Sequence, residues 1–310
     1  MILHTLGGII PGWGSILFRS SPSARSGLLA DLCLVHLRKP LMVRRALLRL
    51  SVAFLVGGIS SNSVLCQNPL NLQDKLTPIP QLPFQNNTTF GIGPQEGLLN
   101  ALNLQPVYPV RLGGFNLINR AILPVIYRGE LRAGAGDLFG LGDLSYTAFF
   151  TPAERSSVIW GIGPSILIPT ATDEMLGTGK WSAGAGLVLF VKEGRWLIGA
   201  LAQNVWSFAG DSERADVNRL LAQYFINYGI DDLWYLTSEP TIMADWNAPA
   251  ERRWIVPVGG GFGRVFPSES LPANLIFQGF FNVERPAGWG EWAARIELKL
   301  FFPPGGVPIE

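Results

Sequence analysis

The chain predicts an all-β fold: a transmembrane, antiparallel, up-and-down β-barrel of about 12 strands, preceded by a signal peptide. Three observations carry that expectation. First, Glu291 to Phe302 alternates strictly: Trp292, Ala294, Ile296, Leu298, Leu300 and Phe302 fall on one face, and Glu291, Ala293, Arg295, Glu297, Lys299 and Phe301 on the other. Successive strand residues point to opposite sides, so this segment separates an apolar environment from a polar one across one layer of backbone. Second, the pattern repeats along the chain, which favours a barrel over the edge strand of a soluble sandwich that one such segment alone would allow. Third, only 15% of residues are charged and yet no uninterrupted apolar run is long enough for a spanning helix, so a helical membrane protein is not expected.

Taken in order, residues 1–41 carry Arg19, Arg25, Arg38 and Lys39 without a repeating pattern and read as an unstructured upstream extension. Residues 42–66 read as a signal peptide. Arg44, Arg45 and Arg49 precede an apolar run from Leu50 to Ile59 and a small polar stretch from Ser60 to Ser63, with cleavage expected after Ser63 or Cys66. Lipidation of Cys66 is disfavoured, because Ser63 and Leu65 fit poorly before a lipidated cysteine. The Pro-rich segment 67–83 is expected to be extended, either as a periplasmic tail or as a partial plug of the lumen. The barrel itself is expected over 84–302, with residues 303–310 as a C-terminal tail.

Within the barrel, an even strand number requires a first strand within Phe84–Gly93, where the alternation is weakest, ahead of about eleven others. Leu144, Tyr146, Ala148 and Phe150 oppose Asp143, Ser145, Thr147 and Phe149. Trp196 to Phe208 is apolar on both faces apart from Gln203, Asn204 and Ser207, so its register stays open. Leu220, Ala222, Tyr224, Ile226 and Tyr228 oppose Gln223 and Asn227. Between Trp234 and Trp246, the face bearing both tryptophans opposes Tyr235, Thr237, Glu239, Thr241, Met243 and Asp245, a spacing that suits aromatic belts at two bilayer interfaces. Leu275, Phe277, Phe281 and Val283 oppose Asn274, Gln278, Asn282 and Glu284. Connections alternate between longer and shorter, and the longer ones, at Gly129–Phe139, at Asp173 and Glu174, and at Asp211–Arg219, are expected to face outward.

Other signals are exclusions. Cys33, Cys66, His4 and His36 all lie in or before the signal region, which removes the residues of a disulfide framework, a Cys/His zinc site or a histidine-based catalytic triad from the mature chain. No cofactor and no metal are therefore expected. The formal net charge of +1 gives no reason to expect nucleic acid. The string GGGFG at 259–263 lacks the following helix and lysine of a phosphate-binding loop and reads as glycine placed for close strand packing. Asn86 and Asn87 match a glycosylation acceptor, a signal that carries little meaning if the chain is bacterial.

The strings WGIGP at 160–164, PTATD at 169–173, GTGKWSAG at 177–184, NVWSFAGDS at 204–212, WYLTS at 234–238, PVGGG at 257–261 and NVERP at 282–286 resemble the bacterial outer-membrane β-barrel family named for meta-pathway phenol degradation. The resemblance spans Phe84 to Phe302 and implies a transporter-like barrel, without catalytic residues to carry over. Residues 303–310 depart from it, trailing beyond the terminal aromatic.

These readings combine into one expectation: a channel or facilitator for passive uptake of small solutes, aromatic or hydrophobic compounds among them, in the outer membrane of a Gram-negative bacterium. Expected lumen-lining residues are Arg120, Asp143, Glu239, Asp245, Arg295, Glu297 and Lys299, since charge is costly on the lipid face. The alternative is a non-transporting structural or surface-binding barrel in which those charges form a salt-bridge network. Expected partners are outer-membrane lipid, the barrel-assembly machinery through the C-terminal strand, and a small aromatic solute. No enzyme activity is expected, because Glu239 and Asp245, the nearest acidic pair on one face, stand about 20 Å apart along a strand.

Overall fold

The period-two alternation becomes a closed wall. The computed structural model describes residues 69–129, 134, 136–154, 156–268 and 271–302. The expected upstream extension, signal peptide and C-terminal tail lie outside the described residues. The wall contains β1 (Gln81–Ile92), β2 (Gly97–Leu104), β3 (Val107–Leu112), β4 (Phe115–Arg128), β5 (Leu138–Leu141), β6 (Leu144–Pro152), β7 (Val158–Ile168), β8 (Lys180–Glu193), β9 (Trp196–Gly210), β10 (Asn218–Gly229), β11 (Trp234–Ser238), β12 (Thr241–Asp245), β13 (Trp254–Phe266), β14 (Ala273–Glu284) and β15 (Trp292–Phe301). Each pairs antiparallel with its neighbours, and β15 returns to β1 from Gln81↔Phe301 to Phe90↔Trp292, so no sheet edge is left open. The first strand covers the expected stretch from Phe84 to Ile92 and begins three residues earlier, at Gln81.

The fifteen segments make a closed barrel of 12 strands because three strands are interrupted. The halves β2 and β3, β5 and β6, and β11 and β12 are separated by Gln105-Pro106, Gly142-Asp143 and Glu239-Pro240. Each half keeps the same neighbour as its partner half: both pair with β4 in the first two cases and with β10 in the third. Proline has no N–H to give the ladder, which accounts for two of the breaks. Bonds from Gln105 N to Pro83 O (3.0 Å) and from Ala121 N to Pro106 O (3.1 Å) stitch the first one closed.

Side chains fall as the alternation requires. On β15, Trp292 and Ile296 are 60% and 49% exposed on the outside, while Glu297 and Lys299, at 2% and 1%, point inward. The register that the sequence leaves open on β9 is settled by its neighbours: Leu197, Leu201 and Val205 point in, and Trp196, Ile198 and Trp206 point out. Exposed tryptophans mark both ends of the outer surface, with Trp160, Trp196 and Trp234 near one end and Trp181, Trp206, Trp246 and Trp292 near the other. That is the two-belt arrangement of a barrel built for a bilayer. Gly261 earns its place on β13: a Cβ there would sit 1.8 Å from the Phe277 carbonyl oxygen of β14. The packing reading of the 259–263 glycines therefore has a physical basis.

Loops longer than the opposite turns sit at 129–137, 169–179, 211–217, 246–253 and 285–291, all at one end, while 113–114, 153–157, 194–195, 230–233 and 267–272 turn at the other. At the short-turn end the lumen is filled. Residues 69–80 enter it through a 3-10 turn at Pro69–Leu72, and Leu70 and Leu76 are buried against inward-facing Phe149, Phe190, Phe225, Tyr235 and Phe301. Burying two leucines contributes about 1.5–3 kcal/mol each. Gly263 leaves room for the Tyr235 ring, whose hydroxyl donates to Asn274 Oδ1 at 2.9 Å.

Candidate functional site

Above the filled end, the alternation that turns apolar residues outward leaves a band of polar and charged side chains no wall position can shed. Glu297 on β15 accepts from Gln85 Nε2 at 2.7 Å and faces Lys299 Nζ at 3.4 Å. Lys299 also donates to Gln73 Oε1, at 3.2 Å, on the segment that enters the lumen. Lys75 of that same segment pairs with Glu239 at 3.1 Å. Burial pushes the Lys75 ammonium below its ordinary range, against the pull of the Glu239 charge. A third tie joins Lys192 Nζ to Asn71 Oδ1. Thus the segment is fixed by side chains from three different strands.

The strand interruptions supply part of this band. Glu239 stands at one break, and its main-chain oxygen accepts from Arg295 Nη1 at 2.6 Å, while Arg295 Nε and Nη2 donate to Asn87 Oδ1 (2.7 Å) and Thr241 Oγ1 (3.0 Å). The Arg295 guanidinium also lies 5.2 Å from the Phe280 ring centre. Gln105 stands at another break, where it accepts from Arg120 Nη2 at 2.7 Å and donates to Gln85 Oε1 at 3.2 Å. A break in the ladder frees polar groups for the interior.

Between this band and the long loops lies a chamber with a cavity volume of about 210 Å³. Its walls combine Gln85, Asn87, Asn103, Ser145, Gln203 and Gln223 with Leu99, Ile122, Pro124, Leu221, Met243 and Phe280. Toward the loops, Leu176 from 169–179 packs with Ile92, Leu99 and Ile126, and Trp289 packs beside them.

Of the seven residues the sequence proposes for the lumen, Arg120, Asp143 and Arg295 stand on the chamber wall. Glu239, Glu297 and Lys299 are buried in the charged band. Asp143 stands at the third break and binds loop 169–179, accepting from Thr178 N (2.6 Å), Thr178 Oγ1 (2.7 Å) and Ala171 N (3.2 Å). Asp245 lies at the far end of β12, 3.9 Å from Arg219 Nε, and accepts from Asn247 N at 3.0 Å. Sequence reasoning missed Gln73 and Lys75, whose signal is faint: two long polar side chains between Leu70 and Leu76 in a Pro-rich stretch.

No family model and no curated protein sequence matches the chain. Among solved structures, it resembles an outer membrane channel from Pseudomonas putida F1 with a TM-score of 0.55 and 17% identity, over 72% of this chain and 94% of that one. Outer membrane phospholipase A of Escherichia coli gives 0.40 and 12%, over 71% and 95%. The toluene transporter TodX of Pseudomonas putida gives 0.33 and 10%, over 79% and 94%. At such identities the likeness is one of fold.

One expectation is corrected: the sequence argument against enzyme activity does not hold. Its physical weakness is visible in the lumen: spacing along one strand separates Glu239 from Asp245, but barrel closure brings Glu239 of one strand break and Glu297 of β15 to the same pair of lysines, each carboxylate feeling the other's partner.

Proposed function

We propose that the chain is a conduit for small solutes in the outer membrane of a Gram-negative bacterium, with the chamber as its loading site and residues 69–80 as its gate. The observation that carries this reading is the division of one lumen into a chamber at the long-loop end and a stopper at the other. The stopper is a chain segment held by a few side-chain ties rather than part of the wall. The fold likeness to the Pseudomonas putida channel supports conduction. The resemblance to the meta-pathway phenol-degradation barrels and the apolar chamber walls support aromatic or hydrophobic solutes moving passively. Export through the signal peptide at 42–66 and insertion by the barrel-assembly machinery complete the proposal.

The test is flux into liposomes holding the refolded chain, compared with empty liposomes, for small sugars, ions and phenolic compounds. Faster entry of phenolic compounds supports the reading. A structural or surface-binding barrel is favoured by the filled short-turn end, and it predicts no flux of any solute even after residues 69–80 are removed.

A further inference from the structure

Around the charged band and the chamber floor, cations outnumber carboxylates. The band and chamber floor hold four cationic side chains, Lys75, Lys299, Arg120 and Arg295, against two carboxylates, Glu239 and Glu297. Both carboxylates are taken by the lysines, at 3.1 and 3.4 Å. The two arginines bond neutral acceptors alone: Arg120 the side-chain oxygen of Gln105, and Arg295 those of Asn87 and Thr241 and the Glu239 main-chain oxygen. Among the described residues neither arginine has a carboxylate within ion-pair distance.

Position adds to charge. Arg120 and Arg295 stand on the chamber wall. The acidic residue they share it with, Asp143, has its oxygens committed to Thr178 and Ala171 near the loops. A guanidinium offers five N–H groups, so Arg120, spending one, and Arg295, spending three, keep donors for an incoming group. A flat fork of donors matches the two coplanar oxygens of a carboxylate. Around this pair, Ile122, Pro124, Leu221 and Met243 give the chamber an apolar wall.

Resting on the conduit reading, we propose that the chamber selects small amphipathic monocarboxylates, an acid group on an apolar ring or short chain, with Arg120 and Arg295 receiving the carboxylate. The apolar body then lies against the wall, and the bound anion offsets the surplus positive charge. Selection acts on charge and shape together: a neutral ring lacks the anchor, and an inorganic anion lacks the body.

Benzoate, benzyl alcohol and benzylamine separate these terms. Binding of radiolabelled benzoate to the detergent-solubilised full chain is measured by equilibrium dialysis, and entry of all three compounds is measured in liposomes. The expected result is about tenfold tighter binding and faster entry for benzoate than for benzyl alcohol, the scale of one charge-assisted contact. Arg120→Gln should erase that preference and Arg120→Lys restore part of it. Arg285→Gln, which removes an exposed pair with Glu291 on a long loop, should keep it. Urea midpoints of each variant identify any that fail to fold, and Arg295→Gln provides a second variant if Arg120→Gln is one of them. Benzoate binding and entering no better than benzyl alcohol, with Arg120→Gln silent, overturns the proposal while leaving the conduit standing. Benzoate bound in dialysis with no entry of any compound overturns the conduit and retains the anion site.

Discussion

The two ends of the lumen contrast. At the short-turn end, inward-facing aromatics and aliphatics pack against Leu70 and Leu76, as in a soluble core. At the long-loop end, the same wall of alternating residues turns amides, hydroxyls and two arginines toward a chamber. Both ends obey one rule outside, apolar toward lipid, so the difference lies wholly in inward-facing positions. A barrel of 12 strands is wider than the roughly eight-stranded barrels that side chains alone fill and narrower than the 16-stranded porins that hold an aqueous channel. Large rings at Phe190, Phe225 and Tyr235 close one half, and shorter polar residues such as Ser145, Gln203 and Thr241 leave the other open.

The contrast predicts a graded set of effects. Phe190→Ala, at a position with no exposure in the filled half, should cost about 3–5 kcal/mol. Glu297→Ala should cost a similar amount by leaving buried Lys299 uncompensated. Both are read as lowered urea midpoints in detergent. Leu76→Ala should cost about 2–4 kcal/mol and also raise solute flux, because it loosens the gate rather than the wall. Met243→Leu, facing open chamber, should change stability by less than about 1.5 kcal/mol, since a volume-conserving swap beside empty space has little to strain. Equal costs for Phe190→Ala and Met243→Leu would mean that the two halves do not differ in packing.

Much of the wall was legible in the sequence. Strand alternation gives the faces of β14 and β15, because one buried face fixes register, and the even-number rule gives the first strand and the count of 12. The interior was less so. Register on β9 depends on its pairing with β8 and β10, which an evenly apolar segment cannot reveal. Lys75 and Gln73 lie in a stretch without period, and their partners Glu239 and Lys299 are more than 160 residues away in sequence. The proximity of Glu239 to the Glu297 pair escaped for the same reason, and with it went the basis for excluding enzyme activity.

The most direct test compares aromatic solute entry into liposomes holding the full chain with entry into liposomes holding the chain lacking residues 69–80, both checked for folded barrel by urea midpoint. A chamber closed by a displaceable segment predicts measurable entry through the full chain and severalfold faster entry without the segment. Entry no faster than into empty liposomes for both proteins, each correctly folded, would contradict it.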